Sequence, residues 1–233
     1  MKKLSLFFLL FFGMATSMTF AQTKTIHVTP DKAKIYVDGS EVGNGTYKIK
    51  FNNKTDFYIL KFECPGYITK QVKLMKNNPN KTIEYKMSKD EFFLNSVGPS
   101  GNAAGEEAID VANKWFEVTA RGGMTEDKIW KRLMSIASSN FENVEIRDKA
   151  AGWIRTAWVK KPYTTNDGTV MARTRMEIKI NTDNDEEISY KVKISSEVNY
   201  DADNCTEEDC FEKSDRILKK YVDVINELQN KLN

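Results

Sequence analysis

Two groups of residues in this chain could do chemistry. The first is basic and aromatic: Arg155, Arg173, Arg175, Lys191 and Lys193, with Trp153, lie within runs of alternating polar and apolar residues. Alternate positions of a strand share one face, so this set would gather forked guanidinium donors and an indole stacking plane on one surface. Such a surface suits an anionic or glycan ligand. The same residues also describe a solvated sheet face whose charges keep the protein soluble and discourage edge pairing. The second group is the acidic stretch 200–212, which holds Cys205 and Cys210. A disulfide can close that short ring, whereas a metal site needs further thiols or histidines nearby, and the single histidine, His27, is remote in sequence. Asp201, Asp203 and Glu212 fall at positions 1, 3 and 12 of a calcium-loop register. Position 6 is then Thr206 where the sharp turn needs Gly, so the stretch is read as a solvated acidic loop.

Catalytic patterns are weak by comparison. His27 stands alone, and the sequence has no Gly-rich phosphate loop, no nucleophile elbow and no paired His and Cys. Two positioned carboxylates would suffice for glycoside hydrolysis, but with 33 Asp and Glu available this possibility discriminates nothing. The leading expectation is a non-catalytic binding module without cofactor or metal. The alternative is a secreted carboxylate-dependent hydrolase acting on cell-wall or host glycan. The third cysteine, Cys64, sits beside Pro65-Gly66 and reads as a small buried residue.

Any of this chemistry must be positioned in a particular compartment. Lys2 and Lys3, an apolar run over 6–12, and small residues up to Ala21 make the layout of a secretory signal peptide cleaved before Gln22. The apolar run is shorter than the ~20 residues that span a bilayer, and no later stretch is apolar enough to do so. The expected address is periplasmic or extracellular, in a bacterium. With 35 Lys and Arg against 33 Asp and Glu, the formal charge is +2, and removing the leader brings the chain near neutrality. Neutrality offers no reason to expect a nucleic acid or an anionic membrane as partner. The expected partner is an envelope protein or glycan, and the oligomeric state is not readable. At 233 residues, 40% hydrophobic and 29% charged, the chain can bury one or two cores, which excludes a disordered protein.

Residues 22–87 alternate in short runs bounded by Pro30-Asp31, Asp38-Gly39, Asn52-Asn53, Pro65-Gly66 and Asn77-Asn78-Pro79. Strands of about 5–8 residues at this spacing predict a small β-sandwich. The stretch from Val28-Thr29-Pro30 through Ile35-Tyr36-Val37-Asp38-Gly39, with the later Cys64-Pro65-Gly66-Tyr67, resembles the PEGA domain, although the namesake Pro-Glu-Gly-Ala run is missing. The resemblance implies an accessory or interaction module of the bacterial envelope and carries over no functional residue.

Small residues over 96–105 predict a flexible linker, set within a boundary region of 88–113. Beyond it, 114–233 predicts the order β-α-β-β-β-β-α: an antiparallel sheet with two helices on one face. Its strands are expected at 114–120, 142–147, 152–160, 170–181 and 187–197, with helices opening at Thr125 and about Ser214. This order, with Asp127-Lys128-Ile129-Trp130 and Gly152-Trp153-Ile154-Arg155-Thr156-Ala157-Trp158, is similar to BamC-type envelope lipoprotein domains. Alternation puts Ile154, Thr156, Trp158, Ala172, Thr174, Met176 and Ile178 under the helices. It leaves Trp153, Arg155, Arg173, Arg175, Glu177, Lys191 and Lys193 on the open side.

Overall fold

The computed structural model describes residues 22–100, 108–182 and 188–232. The expected leader, residues 1–21, lies outside the described residues. The chain divides into two compact units, one running to Phe62 and resuming over Lys70–Lys86, the other made of Glu63–Thr69 and Met87–Asn233.

The first unit has seven strands: β1 (Thr23–Thr29), β2 (Lys34–Val37), β3 (Ser40–Asn44), β4 (Thr46–Lys50), β5 (Phe57–Glu63), β6 (Lys70–Met75) and β7 (Thr82–Lys86). They form a three-stranded sheet in the order β4-β1-β7 and a four-stranded sheet in the order β3-β2-β5-β6. Alternation explains the burial: along β1, Ile26 and Val28 are buried while His27 between them is exposed. Ala33, Ile35, Ile49, Phe51, Leu60, Phe62 and Leu74 complete the buried apolar set. Between β2 and β3, Asp38 and Gly39 take φ of 47° and 85°. A two-residue hairpin turn requires that left-handed backbone, and the Asp-Gly pair tolerates it. His27 Nδ1 lies 2.9 Å from the Thr46 hydroxyl on the neighbouring strand.

The second unit is an α+β layer structure. Its elements are α1 (Glu91–Leu94), β8 (Ser96–Val97), β9 (Trp115–Thr119), α2 (Glu126–Asn140), β10 (Val144–Asp148), β11 (Trp153–Thr156), β12 (Val159–Thr165), β13 (Gly168–Asn181), β14 (Ser189–Asn199), β15 (Glu212–Lys213), β16 (Ile217–Leu218) and α3 (Lys219–Leu232). The order β10-β11-β13-β14-β15 forms one antiparallel sheet, with β12 added to β13 and β9 to β14. Thr125 caps α2 by accepting from the Lys128 amide. Ile129, Leu133, Ile136 and Ala137 of α2 and Tyr221, Val224, Ile225 and Leu228 of α3 pack with Ile154, Met176, Ile178, Val192 and Ile194 in one core. Mainly β structure with two long helices on one sheet face is the class the alternation predicts.

Three expectations need correction. The boundary region 88–113 is not a plain linker. Phe92, Ser96, Val97 and Ala112 are buried, β8 pairs with β16, and the Asn113 side chain donates to the carbonyls of Ser196 and Ser214. Arg216, itself buried, fastens this segment by donating to the Ser96 hydroxyl at 3.0 Å and the Ser96 carbonyl at 2.8 Å. The small polar Ser96 is built into the second unit with its hydroxyl and its carbonyl both met by one arginine. Residues 101–107 of that expected linker lie outside the described residues.

The final helix opens at Lys219 rather than near Ser214, because Ser214 and Arg216 are used in this docking and Ile217–Leu218 forms β16. The expected strand over 152–160 is also two strands. Ile154 and Thr156 of β11 are buried on the helix side, and Val159 of β12, partly buried, packs against the same core, so the parity reverses across Ala157-Trp158. At this break the Thr156 hydroxyl accepts the Met176 amide at 2.9 Å, replacing the strand partner lost there.

Candidate functional site

The sheet face away from the helices carries two cross-strand rows. Register along β11, β13, β14 and β9 aligns Trp153, Lys179, Lys191 and Glu117 in one row, and Arg155, Glu177, Lys193 and Trp115 in the next. Gly152 sets the first of these strands in place. Its φ is 58°, and a Cβ there would come within 2.6 Å of the Ile180 side chain, so only glycine lets β11 start against β13 at this level.

The rows interleave cations and rings. Lys179 Nζ lies 5.0 Å from the Trp153 ring centroid and 5.5 Å from that of Trp115, and Lys193 Nζ lies 4.5 Å from Trp115. Glu177 sits beneath them, 8% exposed, 2.9 Å from Lys179 and 3.5 Å from Lys193. Burial pushes the Glu177 carboxyl up, but the Lys179 hydrogen bond and the fields of Lys193 and Lys179 outweigh this and hold it below the ordinary carboxylate range. Glu117 is held by the Asn181 amide at 2.8 Å and the Ser189 hydroxyl at 2.6 Å. Trp115 remains 42% exposed, and with Lys179, Ile180 and Lys191 it lines a concavity of about 400 Å³.

The far end of the face differs. Arg173, expected to be open to solvent, is 4% exposed. Its Nε donates to Glu197 at 2.7 Å and its Nη1 to Glu208 at 2.5 Å. The guanidinium lies 4.0 Å from the Phe211 ring centroid and 4.4 Å from that of Trp158. The cover comes from the acidic stretch read as solvated. Cys205 and Cys210 are disulfide-bonded, and a 3₁₀ turn at Glu208–Cys210 within and beside that ring brings Glu208 and Phe211 over the sheet. Of the other acids of the stretch, Asp203 accepts the Thr169 amide of β13 and Asp201 accepts from Asn204 within the stretch. Among the described residues no group of three His, Cys, Asp or Glu could hold a metal ion.

Trp158 is the second correction on this face. Alternation through a continuous strand puts it under the helices, but the break after Thr156 turns it onto the charged side, 4.3 Å from the Arg175 guanidinium. The structure therefore brings Trp153, Arg155, Lys191 and Lys193 together, adds Trp115 and Lys179, and sets Arg173 and Arg175 around Trp158. Arg155 donates to Glu145 at 3.2 Å and lies 5.9 Å from the Trp153 ring. The sequence signal that could have found Trp115 was available, since it occupies an alternate position of the 114–120 strand; its neighbour across the sheet was not. Cys64 is buried and carries no disulfide.

No family model matches the chain, and no curated protein matches it. Among solved structures, it is similar to a protein of unknown function from Bacteroides fragilis NCTC 9343, provisionally described as membrane-associated. The match is 10% identical, covers 76% of this chain and 96% of that one, and has a TM-score of 0.26. Nothing in these comparisons points to catalysis. Among the described residues no helix is long and apolar enough to cross a membrane.

Proposed function

We propose that this chain is an exported, non-catalytic module of the bacterial envelope that binds another envelope component through the open face of the second unit's sheet. One observation carries the reading: three of the four tryptophans, Trp115, Trp153 and Trp158, stand on that face with cations against their rings. Indoles presented this way stack on the apolar C–H face of a sugar ring, while neighbouring Lys and Arg donate hydrogen bonds to its oxygens. Of the two expected partner classes, this favours glycan over protein. Export is supported by the leader-like start of the sequence and by a disulfide, which persists in oxidising compartments. The PEGA and BamC resemblances point to the same compartment.

The test is a glycan array and an envelope extract probed with the chain beginning at Gln22, beside a Trp115→Ala, Trp153→Ala double variant. Retention of glycans by the first chain and not by the second is the expected result. An array with no retained glycan, and an extract bound equally by both chains, overturns the reading. Release of new reducing ends from a retained glycan would turn it into the hydrolase alternative.

A further inference from the structure

We infer that Arg175, Ser195 and Trp158 form a carboxylate-binding subsite on this face, so that the glycan it takes is an acidic one, carrying uronic-acid residues. The inference rests on the glycan reading above and specifies its substrate class.

On this part of the face Arg173 is answered by Glu197 and Glu208, and Lys179 and Lys193 by Glu177. Arg175 lies between Arg173 and Glu177 on β13 and makes no ion pair or hydrogen bond among the described residues. Its Nε is fully buried and has no hydrogen-bond partner. A buried donor left unmade costs free energy, and a guanidinium loses most when its fork is empty. Glu177 and Glu197, which flank it on the ladder, are already engaged by Lys179, Lys193 and Arg173, so the part of the guanidinium that remains exposed is open to an acceptor from outside the chain.

The surroundings fit a planar anion. Trp158 backs the Arg175 guanidinium at 4.3 Å and limits how it can turn. Directly across the ladder is Ser195, 7% exposed, whose hydroxyl makes no hydrogen bond among the described residues. Cross-strand side chains of such a pair are about 5 Å apart, which lets one carboxylate accept from both. Lys160, opposite Arg173 on β12, adds positive charge, so around Arg175 the cations Lys160, Arg173, Arg175, Lys179 and Lys193 outnumber the carboxylates Glu177, Glu197 and Glu208. Sugar rings on Trp153 and Trp115 would continue from this subsite along the same face. The ligand is thus a chain of sugars with a carboxylate at one ring, rather than a free anion.

The experiment titrates the chain beginning at Gln22 with trigalacturonic acid, its fully methyl-esterified form, and an acetylated hexa-alanine peptide with a free C-terminal carboxylate. Tryptophan fluorescence and calorimetry read the binding. The acid should bind, with affinity falling as salt rises, while the ester binds at least about tenfold more weakly. Arg175→Gln should weaken the acid about 10- to 100-fold, and Ser195→Ala about threefold, with ester binding unchanged. Arg175→Lys keeps a charge over Trp158 and is expected to fold normally, yet loses the fork and should weaken the acid about tenfold. Equal affinity for acid and ester, tight binding of the peptide alone, or no effect of the Arg175 variants overturns the subsite. If neutral glycans are still retained through Trp115 and Trp153 in that case, the glycan reading stands alone; if no glycan is retained, both fall.

Discussion

Arg173 and Arg175 are two residues apart on one strand, face the same way and lie against the same indole, at 4.4 and 4.3 Å. Their environments are otherwise opposite. Arg173 has two carboxylates and a phenyl ring over it and is almost fully buried; Arg175 is partly exposed, with a buried Nε that nothing answers. A cation whose partners are supplied by its own chain contributes to the fold, because removing it strands those partners. A cation left without them has binding capacity to spare. The difference separates a saturated end of the face from the end proposed to receive a ligand, and residue type cannot make that distinction.

Mutations can break the comparison or sharpen it. The largest effect is expected for Arg173→Gln, which leaves the partly buried Glu197 without its partner. Breaking a buried pair from one side costs about 3–5 kcal/mol, and the low end applies because Glu208 is 75% exposed and returns to water. Urea unfolding measures it; a loss below about 1 kcal/mol would make the two arginines alike. Next, Cys205→Ser with Cys210→Ser should lower stability by about 2 kcal/mol, the loop-closure value for a ring this short. The same change should shift Trp158 fluorescence as Phe211 and Glu208 leave Arg173. An unchanged spectrum would show that the cover holds without its crosslink.

Glu177→Gln should cost about 1–3 kcal/mol, since Lys179 and Lys193 lose their shared acceptor. This variant also has a pH signature. The folded carboxyl titrates below its unfolded value, so its stabilisation is full above the ordinary carboxylate range and is lost as pH falls through the lower, folded value. Thermal melts from pH 7 to pH 3 should show a steeper acid limb for the native chain than for the variant; parallel limbs would remove Glu177 from the network. The smallest effect is expected for Arg175→Gln, a loss under about 1 kcal/mol, because it leaves no partner behind. A loss as large as that of Arg173→Gln would place both residues in the fold.

Much of this architecture is determined by local pattern. The alternation that buries Ala172, Thr174, Met176 and Ile178 is a period-two signal carried by neighbours in sequence, and the Asp38-Gly39 turn depends on two adjacent residues. The stripes of α2 and α3 and the Thr125 cap are local in the same way. Which cations share one face was legible for the same reason.

Their saturation was decided by tertiary structure. Glu208 and Phe211 reach Arg173 from 35 and 38 positions away, brought by a disulfide-closed loop whose composition says only that it is polar. Trp158 changed faces because two residues interrupt the strand, and the Thr156 hydroxyl that makes the interruption tolerable finds its donor 20 residues on. Ser96 became part of a core because Arg216, 120 positions away, hydrogen-bonds its hydroxyl and its carbonyl. A strand's parity is set by its own residues, whereas a charge is neutralised by whatever the fold carries to it across many loops.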